Sequence, residues 1–175
     1  MCALSCVLVF TQFVYAEATN IIKSIAFDST TYRFFALYGD NRTQWGVKVS
    51  SDSGRTWSQV DLFEQSCRGL ISGYPCVWPE KIIFKAPATL VAVGGSTESK
   101  YLQEWVVRWS TDGGNSWHMK KKLFKRFPVY AIDVSPSLHE NVFNISGFVT
   151  GFSSYQVNTC PFDISTGKLL FPCEE

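Results

Sequence analysis

Apolar and polar positions alternate along this chain in short runs, and turn-forming residues interrupt the runs at regular intervals. Across 21–63 the runs are Ile22–Phe27, Arg33–Tyr38, Gly46–Ser50 and Thr56–Leu62. Asp28-Ser29-Thr30-Thr31, Gly39-Asp40-Asn41 and an octapeptide from Ser50 to Trp57 separate them. Across 80–124 the runs are Lys81–Lys85, Thr89–Val93, Glu104–Trp109 and Ser116–Leu123. Here the breaks are Ala86-Pro87, Gly94 through Lys100, and a second octapeptide from Ser110 to Trp117. A third stretch, 129–171, repeats the plan with Val129–Val134, Val142–Thr150, Ser154–Thr159 and Lys168–Phe171. Period-two alternation between turn signals predicts β-strands, and no long helical period competes with it. The expected fold is all-β: about three four-stranded antiparallel units, arranged as blades of a partial β-propeller.

The two octapeptides lie sixty positions apart and share one pattern, S-x-D-x-G-x-[TS]-W. Repetition at a fixed spacing implies copies of one supersecondary unit. Gly54 and Gly114 tolerate the left-handed backbone that a hairpin turn needs. Asp52 and Asp112 can fold a carboxylate back onto turn N–H groups. Ser50 and Ser110 open the motif; Trp57 and Trp117 are expected to begin the next strand and pack on the sheet. The third stretch carries Asp163-Ile164-Ser165-Thr166-Gly167 instead, which reads as a worn-down version of the turn.

The octapeptide resembles the Asp box, or BNR repeat, of sialidases, sortilin or VPS10 receptors and some glycoside hydrolases. The resemblance implies that each box joins the third and fourth strands of a blade, at the periphery and away from the central ligand site. Sialidases in that group use an arginine triad, an Asp acid/base, a Tyr–Glu pair and a Phe/Tyr-Arg-Ile-Pro motif. The nearest match is Tyr32-Arg33-Phe34-Phe35, which lacks Ile-Pro. Six arginines are present, Arg33, Arg42, Arg55, Arg68, Arg108 and Arg126. Arg33 reads as a solvated strand-end residue. No complete sialidase site is expected. The reading is a secreted, non-catalytic binding module for a glycan or protein ligand, without cofactor or metal; the alternative is part of a sialidase-like glycoside hydrolase.

The chain has 175 residues, 46% of them hydrophobic and 15% aromatic, and a formal net charge of +1. This suffices for one core, and near-neutrality argues against nucleic acid as a partner. Residues 2–16 carry no charge and are mostly apolar. They are too few to span a bilayer comfortably, so no transmembrane segment is expected. With Val14 and Ala16 as a small-x-small site, 1–16 read as a secretory signal and 17–175 as a single domain. Cys67, Cys76, Cys160 and Cys173 then remain, which allows three disulfide connectivities. Proximity favours Cys67–Cys76 and Cys160–Cys173, the latter replacing the fastening that the third hairpin has lost. Zinc is a poor rival, because C-x-x-C spacing is missing and His118 and His139 are isolated. Asn41 and Asn144 head N-glycosylation sequons. Asn41 lies in a turn and is the better candidate; Asn144 sits inside an apolar strand.

Lys120, Lys121, Lys122, Lys125 and Arg126 form a basic run within a neutral chain. It suits a polyanion such as a sulfated glycan, or else protects an edge strand from pairing. On a regular strand Lys120 and Lys122 share one face, opposite Lys121. Asp28, Asp40, Glu98, Glu104 and Asp133 are the carboxylates a glycosidase would draw on, and they read as solvated turn residues. Most tryptophans read as core; Trp78, between prolines in a connecting loop, reads as exposed. Three blades leave open faces, so a homo-oligomer that closes the ring is a candidate assembly.

Overall fold

The structure, a computed structural model, describes residues 21–40, 42–66, 76–99, 102–123, 131–150 and 155–170. Within them the fold is all-β. Blade 1 comprises β1 (Ile21–Asp28), β2 (Arg33–Gly39), β3 (Gln44–Ser50) and β4 (Ser58–Glu64). Blade 2 comprises β5 (Val77–Lys85), β6 (Thr89–Ser99), β7 (Leu102–Ser110) and β8 (His118–Leu123). Blade 3 comprises β9 (Ala131–Pro136), β10 (Val142–Thr150), β11 (Tyr155–Asp163) and β12 (Lys168–Leu169). Each blade is a separate antiparallel sheet whose strands lie side by side in chain order. These are propeller-type blades, and their strands match the twelve expected runs.

Two layers of core separate the three sheets. Phe35, Leu37, Trp45 and Val47 of blade 1 pack with Ile82, Leu90, Ala92 and Val106 of blade 2. Val91, Val93, Trp105, Val107 and Trp109 of blade 2 pack with Phe143, Ile145 and Phe162 of blade 3. Blade 2 is therefore buried on both sides. This accords with the consecutive apolar positions of β6, Leu90-Val91-Ala92-Val93, whereas β10 of blade 3 buries alternate residues, Phe143 and Ile145.

One stretch departs from expectation. Gly94 through Lys100 reads as a break, yet β6 continues through Ser99. Its glycines serve close approach rather than turning. A Cβ on Gly94 would lie 2.2 Å from the Trp78 carbonyl oxygen, and one on Gly95 would lie 2.3 Å from the Trp78 ring. Glycine inside a strand commonly marks such contacts. Trp78 is accordingly not an exposed loop residue; it lies on β5, half-buried over Gly95.

Candidate functional site

The two octapeptide hairpins build the same network. Ser50 Oγ accepts a hydrogen bond from Gly54 N and donates to Asp52 Oδ1, each at 2.8 Å. Asp52 then accepts from Thr56 N at 2.9 Å and Thr56 Oγ1 at 2.6 Å. In the second hairpin Ser110 Oγ accepts from Gly114 N at 2.8 Å and donates to Asp112 at 2.7 Å. Asp112 accepts from Ser116 N at 2.9 Å and Ser116 Oγ at 2.6 Å. Gly54 and Gly114 have φ of 86° and 90°, the left-handed region where glycine pays no Cβ penalty. Bonds from the Thr56 hydroxyl and N–H hold the Asp52 carboxyl down at about 2. Ser116 holds Asp112 below the usual carboxylate range in the same way.

The tryptophans do not begin their strands, which start one residue later at Ser58 and His118. Instead each indole folds back onto its own turn. Trp57 Nε1 donates to Gly54 O at 3.0 Å, and Trp117 Nε1 to Gly114 O at 3.1 Å. The motif satisfies its own donors and acceptors, so it acts as a clasp. The third hairpin keeps the Asx turn, with Asp163 accepting from Ser165 N at 2.8 Å, and Gly167 has φ of 65°.

Several charged residues that a catalytic centre would need are spent between and within blades. Arg33 is not simply solvated. Its Nε donates to Thr31 Oγ1 at 2.8 Å, its Nη2 lies 3.4 Å from Asp28 Oδ2, and its guanidinium stands 5.3 Å over the Phe35 ring. Asp28 and Glu104 are buried, contrary to expectation. Burial would raise the Asp28 carboxyl, but hydrogen bonds from Thr30 and Thr31 outweigh it and hold the group well below the usual range. Glu104 accepts from Ser96 Oγ at 3.1 Å and pairs with Lys121 Nζ at 3.3 Å. Asp40 caps its own loop, accepting from Arg42 N at 2.7 Å and Thr43 N at 2.9 Å. The Glu98 side chain lies outside the described residues.

A buried ion pair joins blades 1 and 2, and it was not foreseen. Arg108 on β7 makes a two-pronged contact with both carboxylate oxygens of Asp61 on β4. The signal lay in the alternation. Asp61 stands opposite Val47, and Arg108 opposite Ala92, at positions that face the shared core. Charges at core-facing positions are almost never left unpaired.

The first strands of the blades, β1, β5 and β9, form neighbouring edges. Each carries one extra residue relative to its partner strand: Lys23, Glu80 and Ile132. Bulges re-aim side chains and are frequent at edges and near sites. Burial pushes the Glu80 carboxyl above the usual range, with Lys23 opposing. Lys81 and Asp133 form an ion pair between the next positions of β5 and β9. This edge row carries both signs of charge, and its groups are partly open to solvent.

The basic run is divided. Lys121 turns toward blade 1, where its Nζ donates to Gln65 Oε1 at 3.0 Å and stands 5.2 Å over the Phe63 ring. Lys120 is half-buried opposite Val107 on the adjoining strand. The Lys122 side chain, Lys125 and Arg126 lie outside the described residues, as do Asn41, Arg68, Cys67, Cys173 and the apolar segment 1–16. Cys76 and Cys160 are fully buried. Asn144 is half-buried on β10. Among the described residues no cluster of three or more His, Cys, Asp or Glu could hold a metal ion, and no helix is long and apolar enough to cross a membrane.

No protein-family profile and no curated relative matches the sequence. Among solved structures, the chain is similar to a point mutant of the NanB sialidase from Streptococcus pneumoniae, with a TM-score of 0.48 and 12% identity. The likeness covers 86% of this chain and 22% of that one, so the chain spans about a fifth of that structure's length.

Proposed function

We propose that this chain is a secreted, non-catalytic binding module of Asp-box blades, which presents the edge row of Lys23, Glu80, Lys81 and Asp133 to a glycan or protein ligand. One observation carries the reading. Both clasps are complete, while Arg33, Arg108, Asp28, Asp61 and Glu104 are already bonded inside the fold. An arginine cluster for a substrate carboxylate needs guanidinium groups that are not committed to the protein's own carboxylates. The edge row supports binding because its charges are grouped and partly exposed.

Secretion belongs to the same proposal, with 1–16 as the leader and Cys67–Cys76 and Cys160–Cys173 as disulfides. Its support is the charge-free apolar run and the full burial of Cys76 and Cys160. The test of function is direct. The purified chain is incubated with a fluorogenic sialoside and, separately, screened on immobilised glycans. No turnover is expected. Turnover that disappears in Arg33→Ala would overturn the proposal and restore a sialidase-like glycosidase.

A further inference from the structure

We propose that Asn144 carries an N-linked glycan on the outer face of blade 3, and that no further sheet packs on that face. The inference rests on the secretion reading, because Asn-x-Ser/Thr is an acceptor in secreted chains. Asn144-Ile145-Ser146 meets that rule in the middle of β10. Its neighbours fix its direction. Phe143 and Ile145 are fully buried in the core shared with blade 2. Successive side chains on a strand point to opposite faces, so Asn144 and Ser146 point away from that core. The run around Asn144 buries only alternate residues, and the outward face that Asn144 and Ser146 occupy also carries the half-buried Val142 and Phe148.

The surroundings suit a bulky attachment. In register with Asn144 stand Ser135 on β9 and Pro161 on β11, both compact. Ser146 Oγ and Thr159 Oγ1 share a hydrogen bond of 2.8 Å on the same exposed face. Among the described residues, no side chain holds the Asn144 amide. A sheet packed face to face would lie about 10 Å away. A branched oligosaccharide rooted on a central strand does not fit within that layer.

The experiment sends the full chain into the secretory pathway behind a heterologous cleaved leader, with a second acceptor sequon appended as a reporter of arrival. Asn41→Gln is the background, and Asn144→Gln, Ser146→Ala and Ser146→Thr are compared in it by intact mass before and after glycosidase treatment. The expected result is one glycan beyond the reporter, lost in Asn144→Gln and Ser146→Ala and kept in Ser146→Thr. A modified reporter with an unmodified Asn144 overturns the inference. So does a glycosylated chain that melts well below its deglycosylated form, since the face would then be covered. A parallel arm with the native leader reads secretion by itself: an unmodified reporter there defeats the secretion reading, while the first arm still decides Asn144.

Discussion

The hairpins Ser50–Trp57 and Ser110–Trp117 share their hydrogen bonds but not their surroundings. A Cβ added to Gly54 would meet only the Trp57 ring, at an ordinary 3.7 Å. One added to Gly114 would come within 2.9 Å of Phe35 on blade 1 and 3.4 Å of Leu90. The fourth position of the motif tells the same story. Ser53 and Gly113 both adopt positive φ, 62° and 70°. Serine occupies the site where the hairpin stands free. Glycine occupies it where a Cβ would lie 2.7 Å from Arg33 Nη2. The motif encodes its own clasp wherever it sits. The stacking of blades adds a second constraint that falls on the second copy alone.

The comparison is most exposed at the fifth position of the motif. Gly114→Ala should cost about 3 kcal/mol, from left-handed strain plus overpacking against Phe35. Gly54→Ala should cost about 1 kcal/mol, from the strain alone. Equal losses in chemical denaturation would break the contrast. Gly113→Ser comes next, at about 2 kcal/mol, because the flexible Arg33 tail can yield part of the space. The reciprocal Ser53→Gly should leave stability within about 1 kcal/mol of the parent or raise it. If both exchanges cost the same, the surroundings do not set the residue.

Much of the architecture was legible because short apolar runs stand between turn signals, and strands such as β4 and β10 bury alternate residues. The clasps were legible because their bonds are local, all within eight residues. Gly94 and Gly95 were not, since glycine signals a turn unless the approaching Trp78 is known. The Asp61–Arg108 pair was written as two charges forty-seven positions apart, and nothing local joins them. The bulged residues Lys23, Glu80 and Ile132 were equally silent, because a bulge is a property of two strands in register. Most of the candidate binding edge thus arises from pairings that one strand alone does not reveal.

Smaller effects test the shared half of the comparison. Ser50→Ala and Ser110→Ala each remove a buried hydroxyl that bonds a glycine N–H, and each should cost about 1–2 kcal/mol. A difference between them beyond about 1 kcal/mol would show that the stack also reaches the clasp. The smallest effect is on pH. A carboxyl lowered by folding stabilises above its unfolded pKa of about 4 and loses that contribution as pH falls through the folded value. Both hairpins should hold unchanged from neutrality to about pH 4, then loosen together as acid approaches the Asp52 value of about 2. Carboxyl NMR titration reads this directly, and an Asp52 midpoint near 4 would separate the two copies.

Every sheet here joins strands that follow one another in the chain. The backbone pairings of blade 1 therefore involve no residue later than Glu64. During synthesis the first blade can close its ladders before the second has left the ribosome, while side-chain packing and the bond from Cys76 N to Arg42 O have to wait. Loop-closure entropy, which slows most all-β folds, is confined to hairpin lengths. The buried contact between Asp61 and Arg108 comes later, when the finished blade 1 meets β7. Assembly can thus proceed like laying tiles in order, each one set before its neighbour arrives.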